Sequence, residues 1–137
     1  MEIQPYLFFE GRCEEALDFY KSALGAQVNM LMRYKEGPEG SCQPGLEEKV
    51  MHSSFRVGDA VVLASDGMAN GQPKFQGVSL ALTVPDTATA TRFFNALADG
   101  GNVTQPLIQT FFSPSFGMVA DRFGVHWMIM VPQEGQA

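Results

Sequence analysis

The sequence predicts an α+β fold in which two β-α-β-β-β modules form curved mixed sheets around a cleft. Three observations predict it. Short apolar runs alternate with two stretches of helical periodicity, the order of elements in the first half recurs in the second, and the recurrence keeps two distinct spacings.

The elements follow in order. Ile3 to Phe9 is an apolar strand ended by Glu10-Gly11. A helix opens near Cys13, carries Ala16, Leu17, Phe19, Tyr20, Ala23 and Leu24 at helical spacing, and meets Gly25 where a C-terminus favours a left-handed residue. Gln27 to Tyr34 is a strand, and Lys35 to Lys49, rich in Gly, Pro and Glu, is a loop. Val50 to Val57 and Ala60 to Ser65 are strands joined by a tight Gly58-Asp59 turn. After the loop Asp66 to Gln76 the order restarts with a strand from Val78 to Val84. Asp86 is positioned to N-cap a second helix carrying Ala90, Phe93, Phe94, Leu97 and Ala98, which Gly100-Gly101 closes. Val103 to Thr110, Phe116 to Ala120 and His126 to Val131 complete the set, the last two joined by Asp121-Arg122-Phe123-Gly124, a type I turn pattern.

Phe19-Tyr20 maps onto Phe93-Phe94 at an offset of about 74, and Arg56 with Gly58 onto Arg122 with Gly124 at about 66. The longer Lys35–Lys49 loop of the first unit accounts for the difference. The expected organisation is one domain over 1–137, with modules at 1–66 and 78–132 and a linker at 67–77.

Composition narrows the function. The chain has 137 residues, 45% of them hydrophobic, and a formal net charge of -6, which disfavours a polyphosphate partner. No apolar stretch approaches the roughly 20 residues of a membrane span. Met1-Glu2-Ile3-Gln4-Pro5 lacks the features of a signal peptide. Cys13 and Cys42 are expected as unpaired thiols. The expectation is therefore a cytoplasmic protein with a small-molecule ligand, without nucleic acid or membrane as partner.

Three segments carry a family resemblance. PYLFFEGRCEEALDFYKSALGA (Pro5–Ala26), MHSSFRVGDAVVLASD (Met51–Asp66) and QTFFSPSFGMVADRFGVHWMI (Gln109–Ile129) resemble the PhnB-like branch of the vicinal-oxygen-chelate superfamily, which holds glyoxalases, bleomycin-resistance proteins and dioxygenases. The resemblance implies paired β-α-β-β-β modules, assembly as a homodimer and sites in the sheet clefts. It also brings a frequent label, demethylubiquinone methyltransferase. The sequence shows no glycine-rich nucleotide loop after a strand, so methyl transfer gains no support from it.

Enzymes of that superfamily hold one divalent ion with His, Gln or Glu on the first and last strands of each module. Ungapped counting from the helix aromatic pair puts those positions at Pro5 and Ser79, and counting from the Asp-x-x-Gly turn puts them at Val62 and Met128. That is no ligand set for such an ion, so no cofactor is expected at the usual place. The same count turns Tyr6, Phe8, Val61, Leu63, Leu80, Leu82, Val84, Trp127 and Ile129 toward the helices. Pro5, Leu7, Phe9, Ser79, Ala81, Thr83, Val62, Ala64, Asp66, His126, Met128 and Met130 then face the cleft.

Candidate ligand-binding residues are His52, Asp66, Ser79, His126, Met128 and Phe112. His52 and His126 are the only imidazoles, and each competes with a hydrogen-bonded structural role. With a two-residue Gly58-Asp59 turn, His52 pairs with Ser65 and points away from the cleft. Asp66 is positioned either to cap a turn or to enter the pocket, whereas Asp121 heads a turn and Trp127 belongs to the core. Phe111, Phe112 and Phe116 flank Ser113-Pro114 as a loop lid or a dimer seam. Two functions remain: a module binding a small, partly apolar or aromatic molecule, and a glyoxalase-like lyase, isomerase or dioxygenase. The second would use one divalent metal ion at a displaced site around His52, His126, Asp66, Glu47 or Glu48. A bare dimeric scaffold is the third alternative.

Overall fold

The computed structural model describes residues 1–38, 42–69 and 71–133. Residues 39–41 of the Lys35–Lys49 loop, residue 70 of the linker and residues 134–137 lie outside the described set. The chain forms two compact units, Met1–Pro73 and Lys74–Ala137.

In the first unit, β1 (Tyr6–Phe8), α1 (Cys13–Leu24), β2 (Gln27–Arg33), a 3-10 turn at Tyr34–Glu36, β3 (Val50–Val57) and β4 (Ala60–Ser65) succeed one another. The second repeats the order with β5 (Leu80–Thr83), α2 (Thr87–Ala98), β6 (Asn102–Ile108), β7 (Phe116–Ala120) and β8 (His126–Met130). The sheets are ordered β1-β4-β3-β2 and β5-β8-β7-β6. In each, the first strand runs parallel to the last and the other pairs are antiparallel. This is the α+β architecture expected from the repeat. β1 and β5 are shorter than their apolar runs because only Tyr6–Phe8 and Leu80–Thr83 have a ladder partner in β4 and β8.

The helices bury amphipathic stripes, Ala16, Leu17, Tyr20 and Leu24 on α1 and Ala90, Phe94 and Leu97 on α2. Gly25 ends α1 at φ 66°, and Asp86 caps α2 by accepting the Thr89 amide at 2.7 Å. Arg12, at the N-terminus of α1, makes no such side-chain cap. There Asp66, just after β4, replaces it: Oδ1 accepts the amides of Gly11 at 3.0 Å and Cys13 at 2.7 Å, and Oδ2 accepts that of Val50 at 2.7 Å. One buried carboxylate thus ties the turn before α1 to the start of β3. In the second unit Asp121 takes the amides of Phe123 and Val125 on Oδ1 and the Trp127 indole on Oδ2. The Gly124 amide closes its turn onto the Asp121 carbonyl, as the Asp-x-x-Gly pattern predicts.

Alternation of burial shows which side of each sheet meets its helix. In the second unit Trp127, Ile129 and Val84 are buried, in agreement with the expected faces, and Val119 of β7 is buried with them. Gly117 belongs to this side, where a Cβ would lie 2.6 Å from the Phe94 ring, so β7 and α2 approach closely only with glycine.

The first unit reverses the expectation. Leu7, Phe9, Phe55, Val62 and Ala64 are buried, and Tyr20 of α1 packs against Phe9 and Phe55 with ring centroids 6.2 and 5.5 Å apart. Tyr6, Phe8, Val61 and Leu63 therefore face away from α1. The cause is parity. Four residues, Phe9–Arg12, join β1 to α1, whereas three, Val84–Asp86, join β5 to α2. The longer turn accommodates the extra residue with Glu10 at φ 53° and Gly11 at φ 112°. Between β3 and β4 lie two residues, Gly58 and Asp59, but five, Asp121–Val125, lie between β7 and β8. Each difference is odd, and an odd slip inverts every side chain of a strand.

Cys13 and Cys42 are free thiols, as expected. The Cys13 sulfur lies 3.8 Å from the Ser53 hydroxyl, whose own proton goes to the Ala64 carbonyl at 2.8 Å, so the thiol is the donor. Burial pushes this thiol up from 9.0 to about 12, and the Asp66 charge adds to the rise while Ser53 opposes it.

Two outcomes follow. Asp66→Ala strands three backbone amides and should lower unfolding free energy in urea by about 3 kcal/mol, with Asp66→Asn losing less. Cys13 stays a thiol in the folded protein to about pH 12, while the unfolded chain ionises from about pH 9. Its contribution is complete below pH 9 and should decline above it by up to about 1.4 kcal/mol per pH unit. Comparing urea midpoints of the native chain and Cys13→Ala across that range isolates the effect.

Candidate functional site

Each sheet has one side committed to its helix, which leaves the opposite side as the surface available for chemistry. In the first unit the ladder aligns Tyr6 with Leu63, Leu63 with Ser54, Ser54 with Met30, and Met32 with His52. Phe8 aligns with Ser65 on the same side. The Tyr6 hydroxyl and His52 Nδ1 are 2.9 Å apart, and the two rings stack at 5.6 Å between centroids. Phe8 lies 4.9 Å from Tyr6, ring centroid to ring centroid. The open side of the first sheet is thus aromatic and methionine-bearing, with a phenol–imidazole pair as its polar element.

In the second unit Ala81, Met128 and Met118 align across β5, β8 and β7, and Thr83, Met130 and Phe116 form the next row. His126 opposes Ala120 at the end of β8. The β6–β7 loop adds Phe112, whose ring meets Phe111 and Phe116 edge-on at 5.2 and 5.1 Å. Ser113 fixes that loop: its buried hydroxyl accepts the amides of Ser115 and Val131 and lies 2.7 Å from the Val131 carbonyl. Thr110 Oγ1 accepts the amides of Phe112 and Ser113. The aromatic loop is therefore built rather than loose.

The expected candidates divide accordingly. His52 lies on the open side although its two-residue turn is expected to point it away, because the whole first sheet is inverted relative to the count. Asp66, expected toward the cleft, lies on the helix side, with both carboxylate oxygens taken by backbone amides. His126 and Met128 are half-buried on the open side of β8, and Phe112 is half-buried against Phe116 of β7. Ser79 is exposed and precedes β5 rather than forming part of it. Tyr6 and Phe8 lie on the open side, whereas sequence reasoning turns them toward the helices. The signal for them is the Glu10-Gly11 pair, an additional residue in the turn before α1.

With the register corrected, the positions that take the place of Pro5, Val62, Ser79 and Met128 on the open sides are the cross-strand pairs Tyr6–Leu63 and Ala81–Met128. Neither pair offers imidazole or carboxylate, and His126, the imidazole on the open side of β8, has no second His, Asp or Glu beside it in these pairs, so these residues do not fit the superfamily's divalent ion. Among the described residues no three His, Cys, Asp or Glu side chains converge on a point suited to a metal. The loop carboxylates have other partners: Glu47 accepts the Gly45 amide, and Glu48 pairs with Lys35 at 2.8 Å. A polar pocket of about 280 Å³ near the start of α1 is likewise internally paired. In it Arg33 makes a two-pronged contact with Glu14, which holds the Glu14 carboxyl below the usual range.

Comparison with known proteins agrees with this architecture. Residues 1–130 match the family described as 3-demethylubiquinone-9 3-methyltransferase. The crystal structure of protein PA1353 from Pseudomonas aeruginosa is 40% identical, with a TM-score of 0.86 over 98% of this chain and 99% of that one. The PhnB protein from Bacillus cereus is 30% identical, with a TM-score of 0.80 over 96% and 99%. A glyoxylase/bleomycin resistance protein/dioxygenase domain from Frankia sp. EAN1pec, 15% identical with a TM-score of 0.62 over 99% and 95%, shares the fold. This chain belongs to the PhnB-like family described as 3-demethylubiquinone-9 3-methyltransferase, and it shares the fold of a glyoxylase/bleomycin resistance protein/dioxygenase domain.

Proposed function

We propose that the protein binds a small, partly apolar or aromatic molecule on its open sheet sides, without a divalent ion at the superfamily's usual position. The observation that carries this reading is the open side of the second sheet. Met118, Met128, Met130 and Phe116 form a contiguous apolar patch there, with His126 and Thr83 as sparse polar groups. Adaptable thioethers with a few polar groups suit a flat ligand of low polarity. Met128, His126 and Phe112 are ligand contacts in this proposal, and His52 is one on the first sheet. Ser79 is a rim contact, and Asp66 supports the first unit from behind. The division into modules at 1–66 and 78–132, assembly as a homodimer and residence in the cytoplasm belong to the same proposal. Among the described residues no helix is long and apolar enough to cross a membrane.

The rival reading, a displaced metal site for lyase, isomerase or dioxygenase chemistry, draws no support from the carboxylates it would need. Asp66 is saturated by amides, and Glu48 is paired with Lys35.

Metal analysis of protein purified without chelator, with His52→Ala and His126→Ala beside it, separates the two readings. Less than about a tenth of an equivalent of Zn, Ni, Mn or Fe is expected in all three. A stoichiometric ion lost in either variant would overturn the proposal. In a thermal-shift screen of small aromatic and apolar compounds, a ligand at about 100 times its Kd should stabilise the fold by about 2.7 kcal/mol. Met128→Glu should abolish the shift and Met128→Leu retain it.

A further inference from the structure

From the first sheet we infer a second, more specific subsite, in which Tyr6, Phe8 and His52 receive a flat aromatic ring bearing a hydroxyl group. It rests on the ligand-binding reading above and names the chemistry that the first unit would recognise.

The three side chains come from strands at different positions in the sheet, β1 for Tyr6 and Phe8 and β3 for His52, with β4 between them. They meet because β4 sets Ser65 at that level, aligned with Phe8. Ser65 is short, accepts the Gly67 amide at 3.1 Å and is 2% exposed despite lying on the open side. Tyr6 and His52 stack with planes 27° apart, and the Tyr6 and Phe8 rings are tilted by 33°, so Tyr6 joins the other two rings into one aromatic cluster. The cluster is not covered within its own unit: Phe8 is 51% and Tyr6 37% exposed. Exposed rings held in mutual contact give a stacking surface with little rotamer entropy left to lose on binding.

The hydroxyl requirement comes from the phenol–imidazole pair. When the Tyr6 hydroxyl donates to His52 Nδ1, the imidazole proton sits on Nε2; the pair then offers Nε2–H as donor and the phenol oxygen as acceptor. When Nδ1–H donates instead, the phenol O–H becomes the donor and Nε2 the acceptor. Either arrangement presents one donor and one acceptor to the ligand. A hydroxyl group carries both functions and satisfies either arrangement. An ether carries only an acceptor, and a bare hydrocarbon neither.

The test titrates the full chain with p-cresol, 4-methylanisole and toluene, three rings of similar size, followed by NMR at the His52 ring and the Met ε-methyls. p-Cresol is expected to bind about three- to tenfold tighter than the other two, the range of one net hydrogen bond. Tyr6→Phe and His52→Phe keep a ring but remove the pair, and each should bring the three ligands within about twofold of one another. Phe8→Ala should weaken all three. Equal affinity for the three ligands in the native chain, or a p-cresol advantage that survives both ring-preserving variants, would overturn the subsite. Responses confined to Met118, Met128 and Met130 would also overturn it while leaving the broader binding proposal standing. No response at either sheet would remove both. These substitutions lie on an exposed sheet side, and an unchanged melting temperature confirms that each variant is folded.

Discussion

The Asp66 carboxylate is the constraint on which the first unit depends. α1 begins after a turn that contains two consecutive positive-φ residues and no local capping side chain. Such a start leaves helical amides without partners, and leaving them buried and unbonded costs more than the bonds themselves return. Asp66 resolves this from 53 residues away, by accepting the Cys13 and Gly11 amides on one oxygen and the Val50 amide on the other. The same residue adds a backbone bond to β3, its own amide donating to the Val50 carbonyl. Sheet, turn and helix are joined at one side chain. Once that junction is fixed, Tyr20 reaches Phe9 and Phe55, and the opposite side of the sheet is released for other uses.

Much of this architecture is legible in the sequence because it rests on local signals. Gly25, Asp86, the Gly58-Asp59 turn and the Asp121-to-Gly124 turn each specify backbone geometry within a few residues, and all four behave as their types predict. β3, β4 and β7 begin and end where their apolar runs do. The repeat supplies the topology, since two units of one order fold alike.

What escapes the sequence is non-local or depends on parity. The role of Asp66 joins residues far apart in the chain, and no spacing rule announces it. The side on which Tyr6 and Phe8 emerge depends on whether the turn before α1 holds three residues or four, and counting across that turn without a gap gives the wrong answer for an entire strand. The second sheet, where the count stays in step, shows the faces that alternation predicts. The consequence for the site is specific. Ungapped counting turns Asp66 toward the cleft when it belongs on the helix side, and it assigns Tyr6 and Phe8 to the helix side when they line the open one. His52 and His126 carry the only imidazoles, and the structure sets each on an open side.

The pair of odd-length differences between the two units behaves like a reading frame of period two. Adding or deleting a single residue in the Phe9–Arg12 turn would shift β1 out of frame with its ladder, exchanging the oily side that packs on α1 for the side left open. A change of two residues would preserve the frame, as would two single changes that cancel. Length changes in these turns are therefore constrained by arithmetic before they are constrained by chemistry. Two modules of one topology present opposite faces of their strands to their helices when a turn in one of them changes parity.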